Sequence, residues 1–451
     1  MKPFNKVLIA NRGEIARRII RTCHRLGIET VAVHSEVDKD APYVKEATEA
    51  VHIGDNQAKK SYLNIDKIIE AAKATNADAI HPGYGFLSEN PLFAERCETE
   101  NIVFIGPKAE VMKLMGSKLE SRMEMSKAGI PVVPGSDKPL DSLEKAIETA
   151  NELGYPLMLK ASAGGGGIGM KLIESEDELK KQFSSVKQQA QQFFNDDTVF
   201  LEKFISNPRH IEVQVFGDHH GNVVHLFERE CSVQRRHQKV IEESPSPFLN
   251  EKQREQLVKA AVTGAKHLGY TNAGTMEFIF DGDGNFYFLE MNTRLQVEHP
   301  VTEEITGIDL VEWQLRVAAN EALPLKQEEI KTEGHSIELR IYAEDPVNFF
   351  PSPGKIEKFM LPDENVRYEF GVDDKSTVSP FYDPMIGKVI VHRPSREQSI
   401  RDAKEILQKM TIEGIKTNIP LLIRILEHEK FIIGDYTTNF LQEYAELLQI
   451  K

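Results

Sequence analysis

Apolar and polar positions along the chain repeat in two periods, and the order in which those periods alternate sets out the expected elements. Residues 6–10 (KVLIA) are an apolar run, Ile15, Ile19, Cys23 and Leu26 follow at helical spacing, and residues 30–34 are apolar again. This succession reads as a βαβ unit and therefore as part of a parallel sheet. Residues 79–81 and 102–105 continue the alternation. The turn Asn11-Arg12-Gly13 lacks GxGxxG spacing, so a structural doubly wound unit is a better reading than a dinucleotide site.

Gly106-Pro107 breaks the pattern, residues 108–128 read as one or two helices carrying Lys118, and Pro131, Pro134 and Gly135 open a smaller lobe. Within it, residues 155–162 form a strand with Lys160, residues 177–194 a polar helix, and residues 198–205 an apolar strand interrupted by Glu202 and Lys203. Gly164, Gly165, Gly166 and Gly167 lie between two strands. Such a run is costly in conformational entropy, and its commonest use is a mobile loop whose N–H groups close over phosphates. No GK[ST] follows, so it is not a P-loop. A flexible linker is the plainer alternative, but Lys160 upstream and residues 170–172 downstream favour a hairpin flap.

Residues 210–216 alternate as a half-buried strand beginning at His210, and residues 235–239 (RRHQK) are the one strongly basic run. HPGYGFLSEN, residues 81–90, is a turn cluster at a strand end, placed either to line a ligand crevice or simply to turn. Beyond residue 331 come short β-rich pieces at 336–343, 354–359 and 388–392, then a helical pair at 396–410 and 418–427, together an α+β unit.

The densest chemistry lies in residues 286–299, FYFLEMNTRLQVEH, where a buried strand gives way to charged and amide side chains. Asp281-Gly282-Asp283-Gly284 is turn chemistry that closes a hairpin with residues 276–280. Each arm carries one glutamate, Glu277 and Glu290, which face each other to within a residue, although a slip of one would separate them. With Asn292 they form an all-oxygen set suited to Mg²⁺ or Mn²⁺; solvated strand glutamates are the plainer alternative. Arg294, Gln296 and Glu298 follow at a spacing of two, so an extended backbone would turn a cation, an amide and a carboxylate toward one small anion. Glu298 in that position is useful chiefly as a base.

A formal net charge of −15 disfavours general nucleic-acid binding and suits anionic ligands held in local basic pockets. Cys23, Cys97 and Cys231 are far apart without CxxC spacing, so neither a disulfide framework nor a zinc site is expected and a reducing cytoplasm fits. The start MKPFNKVLIANRGE has too short an apolar run for a signal peptide, and no apolar stretch is long enough to span a bilayer, so neither targeting nor membrane insertion is expected.

EMNTRLQVEHPVTE, residues 290–303, resembles the signature of the biotin carboxylases, members of the ATP-grasp enzymes; with QRRHQK (234–239), HPGYGFLSEN and ELRIYAEDP (338–346) the resemblance covers essentially the whole chain. It implies an ATP-grasp fold with an N-terminal doubly wound parallel-sheet domain at 1–114, an ATP-grasp domain at 115–330 whose glycine-rich lid lobe spans about 131–204, and a C-terminal α+β domain at 331–451. It further implies carboxylation of biotin on a biotin carboxyl carrier protein by ATP and bicarbonate through carboxyphosphate, as the first half-reaction of a bacterial acetyl-CoA carboxylase with carboxyltransferase subunits. A homodimer is the usual state. By the same resemblance, Lys118, Lys160, Glu202, Lys203, His210 and His237 surround ATP under the glycine flap, and Glu277, Glu290 and Asn292 hold the metal. Lys239, Arg294, Gln296 and the backbone of Val297 hold bicarbonate, Glu298 takes its proton, and Arg340 stabilises the biotin enolate. A glutamate at about 4.3 is a weak base for bicarbonate, so either proton removal accompanies phosphoryl transfer or burial raises the carboxylate. Ile168 stands where the family often has a basic residue, which removes a side-chain contact to phosphate. No biotinylation segment is found, so a separate carrier is expected. The alternatives are the biotin carboxylase component of another acyl-CoA or pyruvate carboxylase, another ATP-grasp carboxylate ligase, and a nucleotide-binding scaffold without turnover.

Overall fold

The computed structural model describes residues 3–163, 169–363 and 365–449. The expected amino-terminal βαβ pattern becomes a five-stranded parallel sheet in the order Glu49–Gly54, Glu29–Ser35, Lys6–Ile9, Ala79–His81, Val103–Phe104. Helix Gly13–Arg25 buries Ile15, Ile19 and Cys23 against it. At the carboxyl edge of this sheet Asn11 Nδ2 donates to the carbonyls of Pro82 and Tyr84, each at 2.7 Å, and so fastens the 81–90 segment. Gly83 is required there: its φ is +63°, and a Cβ would lie 2.9 Å from Asn11 Nδ2.

The smaller lobe has strands Leu157–Ala161, Met170–Ile173 and Val199–Lys203, backed by helices Leu143–Leu153 and Glu176–Phe194. Leu159, Leu179, Phe183, Val186 and Leu201 give it a core of its own. Gly164, Gly165, Gly166, Gly167 and Ile168, the expected flap, lie outside the described residues.

An eight-stranded antiparallel sheet forms the centre, in the order Phe286–Asn292, Asn272–Phe280, Arg209–Gly217, Val223–Arg235, Gln238–Ser244, His335–Tyr342, Met385–Arg393, Arg367–Phe370. It runs continuously across residue 330, which brings Arg340 into the same sheet as Glu277. The strand Arg209–Gly217 corrects one expectation, since it is buried at every residue rather than on one face. Ile211, Val213 and Val215 pack into the apolar core, while Glu212 and Gln214, offset by one, meet the buried guanidinium of Arg229. The expected strand at 354–359 is two short ones, Gly354–Lys355 paired with Thr377–Val378 and Lys358–Met360 paired with Thr411–Glu413. Helices Arg396–Lys409 and Ile419–Glu427 are followed by two short ones, Glu429–Ile432 and Phe440–Glu443. No helix among the described residues is long and apolar enough to cross a membrane.

Buried Glu243 ties the carboxyl-terminal helices to this sheet. It accepts from His335 Nε2 at 2.7 Å, from Arg396 Nε at 2.6 Å and Nη2 at 2.9 Å, and from the Tyr436 hydroxyl. Burial alone would raise its pKa, but Arg396 and His335 outweigh burial and hold it at about 2. The folded state therefore binds fewer protons than the unfolded chain, and the stabilisation, full above the ordinary value of 4.5, is lost as pH falls through about 2. Urea midpoints measured across that window are expected to fall with pH in the wild type. Glu243→Gln should lack this component and be weaker at neutral pH by about 3 kcal/mol.

Candidate active site

The hairpin places its two glutamates by means of a bulge. Phe278 pairs with Phe288, yet Glu277 pairs with Glu290, because Leu289 is an extra residue in the second strand. Without the bulge Glu277 would face Leu289. The loop at 281–285 is closed by the Asp281 N–H to the Asn285 carbonyl at 3.0 Å, with Gly284 at φ +82°. Glu277 is buried, whereas the Glu290 side chain is 33% exposed, its Oε2 being 3.9 Å from Lys118 Nζ. Burial and the charge of Glu277 raise the pKa of Glu290.

Residues 236–237 make a two-residue turn with both φ positive, +48° and +66°, so QRRHQK is a hairpin tip from which Lys239 returns inward. Lys239 Nζ lies 2.5 Å from Glu212, 3.0 Å from Glu277 and 2.6 Å from Glu298. Burial opposes its charge, but these three carboxylates raise its pKa well above the usual lysine value. Two clusters with metal-ligating geometry, His210 with Glu212 and Glu277, and Glu212 with Cys231 and Glu298, thus share a lysine ammonium.

After Asn292 the backbone leaves the sheet and turns into helix His299–Thr306, so the extended conformation expected for residues 294–298 is not adopted. The side chains are gathered by hydrogen bonds instead. Arg294 donates to Gln296 Oε1 at 2.7 Å, to Asn292 Oδ1 at 3.0 Å and to Glu89 Oε2 at 2.8 Å, and Gln296 Nε2 donates to Glu277 Oε1 at 2.9 Å. Glu298 lies beneath them, wholly buried, accepting from Lys239 at 2.6 Å and from Arg340 Nη2 at 2.9 Å. Burial alone would raise this carboxylate. The charges of Lys239, Arg340 and Arg229 prevail and hold it well below the ordinary range, which corrects the expectation that burial makes it a stronger base. Arg340 Nε also donates to Glu242 at 2.6 Å, and burial pushes Glu242 up to about 7 despite that partner.

Most of these groups border one cavity of about 670 Å³, but Glu298, Glu212, Glu242, Glu89 and Lys118 are not in its lining. Its anion wall holds Lys239, Arg294, Gln296, Val297 and Arg340, and its acidic wall Glu277, Glu290 and Asn292. His210, with Nε2 2.9 Å from Glu277, and His237 line the cavity too, as do Tyr84, Phe86 and Tyr382. The 81–90 segment is thus part of the crevice. Lys160, Glu202 and Lys203 are not in this wall: Lys160 pairs with Glu202 inside the small lobe, and Lys203 Nζ donates to the Gly154 carbonyl at 2.7 Å.

Sequence reasoning missed Glu212, Glu242 and Glu89. Glu212 had a signal, since HIEVQVF sets His210, Glu212 and Gln214 at the spacing of one strand face. Glu89 lay unremarked within a segment already singled out, and Glu242 has no local signal at all.

Residues 3–112 match the biotin carboxylase N-terminal domain, 117–326 the ATP-binding domain of the carbamoyl-phosphate synthase L chain, and 338–443 the biotin carboxylase C-terminal domain. Biotin carboxylase 2 of Bacillus subtilis is 60% identical over 98% of this chain and 100% of that protein, and the biotin carboxylase of Halalkalibacterium halodurans is 56% identical over 98% of both. The crystal structure of the Campylobacter jejuni biotin carboxylase complex with β-γ-ATP superposes with a TM-score of 0.95 at 50% identity, covering 98% of this chain and 99% of that one. The parallel amino-terminal sheet, the shared central sheet and these full-length likenesses lead to one conclusion: the chain belongs to the biotin carboxylase family and is an ATP-grasp enzyme.

Proposed function

We propose that this enzyme carboxylates biotin with ATP and bicarbonate, and that the residues of the cavity act as the sequence led us to expect. The observation that carries the reading is the convergence of Lys239 and Arg340 on Glu298 beside the Arg294–Gln296 pair, with Glu277 and Glu290 in the lining of the same cavity. Lys239, Arg294, Gln296 and the Val297 amide hold bicarbonate. Glu298, kept ionised by its cationic neighbours, is always in the form that accepts a proton. Because its pKa is depressed, proton transfer must accompany attack on the γ-phosphate, where the growing acidity of bicarbonate drives it. Carboxyphosphate then breaks down to CO₂ and phosphate, the phosphate takes the proton from biotin N1, and Arg340 offers fixed donors to the resulting enolate oxygen while N1 bonds to the CO₂ carbon. Lys118, Lys160, Glu202, Lys203, His210 and His237 are assigned to the nucleotide, together with the glycines at 164–167. A structure of a relative in complex with MgADP, ADP and bicarbonate supports the choice of nucleotide and bicarbonate as ligands.

The acidic wall fits Mg²⁺ or Mn²⁺. Glu277 and Glu290 face each other with Asn292 adjacent, all three offer oxygen, and burial together with the charge of Glu277 raises the pKa of Glu290, a shift that a bound cation would oppose. A bound divalent ion would neutralise phosphate charge as the γ-phosphoryl moves. Glu290→Lys is therefore expected to abolish magnesium-dependent ADP release. A magnesium titration like that of the wild type would remove Glu290 from the metal site.

We assign residues 1–114, 115–330 and 331–451 to three domains, supported by the family matches at 3–112, 117–326 and 338–443. A homodimer is proposed, supported by the dimer described for the Hydrogenobacter thermophilus 2-oxoglutarate carboxylase domain, 48% identical with a TM-score of 0.95. As physiological assembly we propose an acetyl-CoA carboxylase with separate carrier and carboxyltransferase subunits. The second reading, another acyl-CoA or pyruvate carboxylase, is favoured by two further likenesses. The alpha component of rat methylcrotonoyl-CoA carboxylase is 52% identical, and a component of the Methanothermobacter thermautotrophicus pyruvate carboxylase is 50% identical.

The deciding experiment is ADP release by the purified chain with ATP, magnesium and free biotin, with and without bicarbonate. Turnover that needs both bicarbonate and biotin is expected. Release indifferent to both would reassign the Arg294 cluster to another acid substrate. Carboxyl transfer to acetyl-CoA, compared with other acyl-CoAs and pyruvate in the co-purified complex, separates the two assemblies.

A further inference from the structure

Two buried side chains hold the backbone of the turn that carries Arg294, Gln296 and Glu298. The Gln296 carbonyl accepts from His299 Nδ1 at 2.8 Å and from the His299 amide at 3.4 Å. The next carbonyl, that of Val297, accepts from Lys388 Nζ at 2.6 Å. A trans peptide carries its C=O and N–H on opposite sides of one plane. Pinning the Gln296 carbonyl at His299 therefore turns the Val297 N–H the other way, and pinning the Val297 carbonyl at Lys388 does the same for the Glu298 N–H. Neither N–H has a protein acceptor among the described residues, and Val297 lines the cavity.

Both side chains are wholly buried. Burial, with the charges of Lys388, Arg18 and Arg367, keeps the His299 ring neutral, its pKa held well below the usual value. A neutral ring that donates from Nδ1 has a bare Nε2, and that nitrogen has no hydrogen-bond partner. Lys388 is paired with Arg340 on the neighbouring strand and lies 3.2 Å from Glu14 Oε1, which also accepts from the hydroxyl of Tyr84, a residue lining the cavity. One ammonium thus braces the turn against both the sheet that presents Arg340 and the segment that presents Tyr84.

We propose that His299 and Lys388 are positioning residues that lock two successive peptide planes of residues 296–298, so that the Val297 amide is presented in advance to the small anion and Glu298 is held at its proton. Donors fixed before the anion arrives need no reorganisation during reaction. This inference rests on the bicarbonate reading above. It predicts a loss specific to bicarbonate, since neither residue borders the cavity where the nucleotide and biotin are placed.

The test is steady-state ADP release by the full chain, with ATP and bicarbonate varied separately. Lys388→Met and His299→Leu, which remove the donors, are expected to raise KM for bicarbonate by about tenfold or more, the worth of one charge-assisted or buried hydrogen bond. KM for ATP should stay within about twofold of wild type. His299→Asn keeps an N–H where Nδ1 stood and should recover most of the loss, as should Lys388→Arg. Loss spread evenly over both KM values, or no recovery by the conservative variants, would reduce the two residues to ordinary structural ones and overturn the proposal. Should Lys388→Met fail to bind ATP because Glu14 loses its ammonium neighbour, the His299 pair decides alone. A wild type without bicarbonate dependence would sink the proposed function. A bicarbonate-dependent wild type whose variants keep its KM would sink only the positioning role.

Discussion

Glu298→Gln is expected to bind ATP as the wild type does while its bicarbonate- and biotin-dependent ADP release falls by about 10²- to 10⁴-fold, the usual worth of a positioned general base. The change is nearly isosteric and removes only the proton-accepting charge. Lys239 keeps Glu212 at 2.5 Å and Glu277 at 3.0 Å, and Arg340 keeps Glu242 at 2.6 Å, so neither cation is orphaned. One of the two donors now at Glu298 will meet the amide NH₂ instead of an oxygen, a penalty of about 1–3 kcal/mol that thermal unfolding should register. Activity is thus expected to fall far more than stability. Turnover within about threefold of wild type, less than any general base contributes, would remove Glu298 from the proton transfer.

Arg340→Ala is expected to lose biotin carboxylation together with much of its stability. The guanidinium bridges Glu242 and Glu298, both wholly buried, and truncation leaves two carboxylates without it. Breaking a buried pair of this kind costs about 3–5 kcal/mol. Part of the cost is relieved on the Glu242 side, since that carboxyl is already pushed up to about 7 and can take a proton. Loss of fixed donors at a developing oxyanion adds roughly 10²- to 10³-fold in kcat. Arg340→Lys separates the two effects: it restores a charge to the carboxylates but not the planar fork, so stability should recover more than activity. Nucleotide binding, measured by titration calorimetry, should persist in both variants. Carboxylation of free biotin by Arg340→Ala at the wild-type rate would exclude Arg340 from the enolate step.

Most elements and most chemistry-bearing residues were legible in the sequence, because both are written in local spacing. The βαβ start, the hairpin closed by Asp281 to Gly284 and the helix near 176–194 follow from periods and turn residues within a few positions of one another. Ten of the residues singled out as a site, from His210 to Arg340, line one cavity. Relations between distant segments were settled only by folding. Glu290 faces Glu277 only because Leu289 is a bulge, which no alternation of apolar residues announces. The backbone of residues 294–298 turns where alternation suggested extension, and its side chains meet through Glu277 on the preceding hairpin and through Glu89, which is far away in the chain. The state of Glu298 shows the division most clearly. Burial and charge push its pKa in opposite directions, and the outcome depends on distances to Lys239, Arg340 and Arg229, which come from three separate strands. A carboxylate's identity is a property of the sequence, but its ionisation is set by the field of charges that folding assembles around it, and that field falls off with distance in space rather than along the chain.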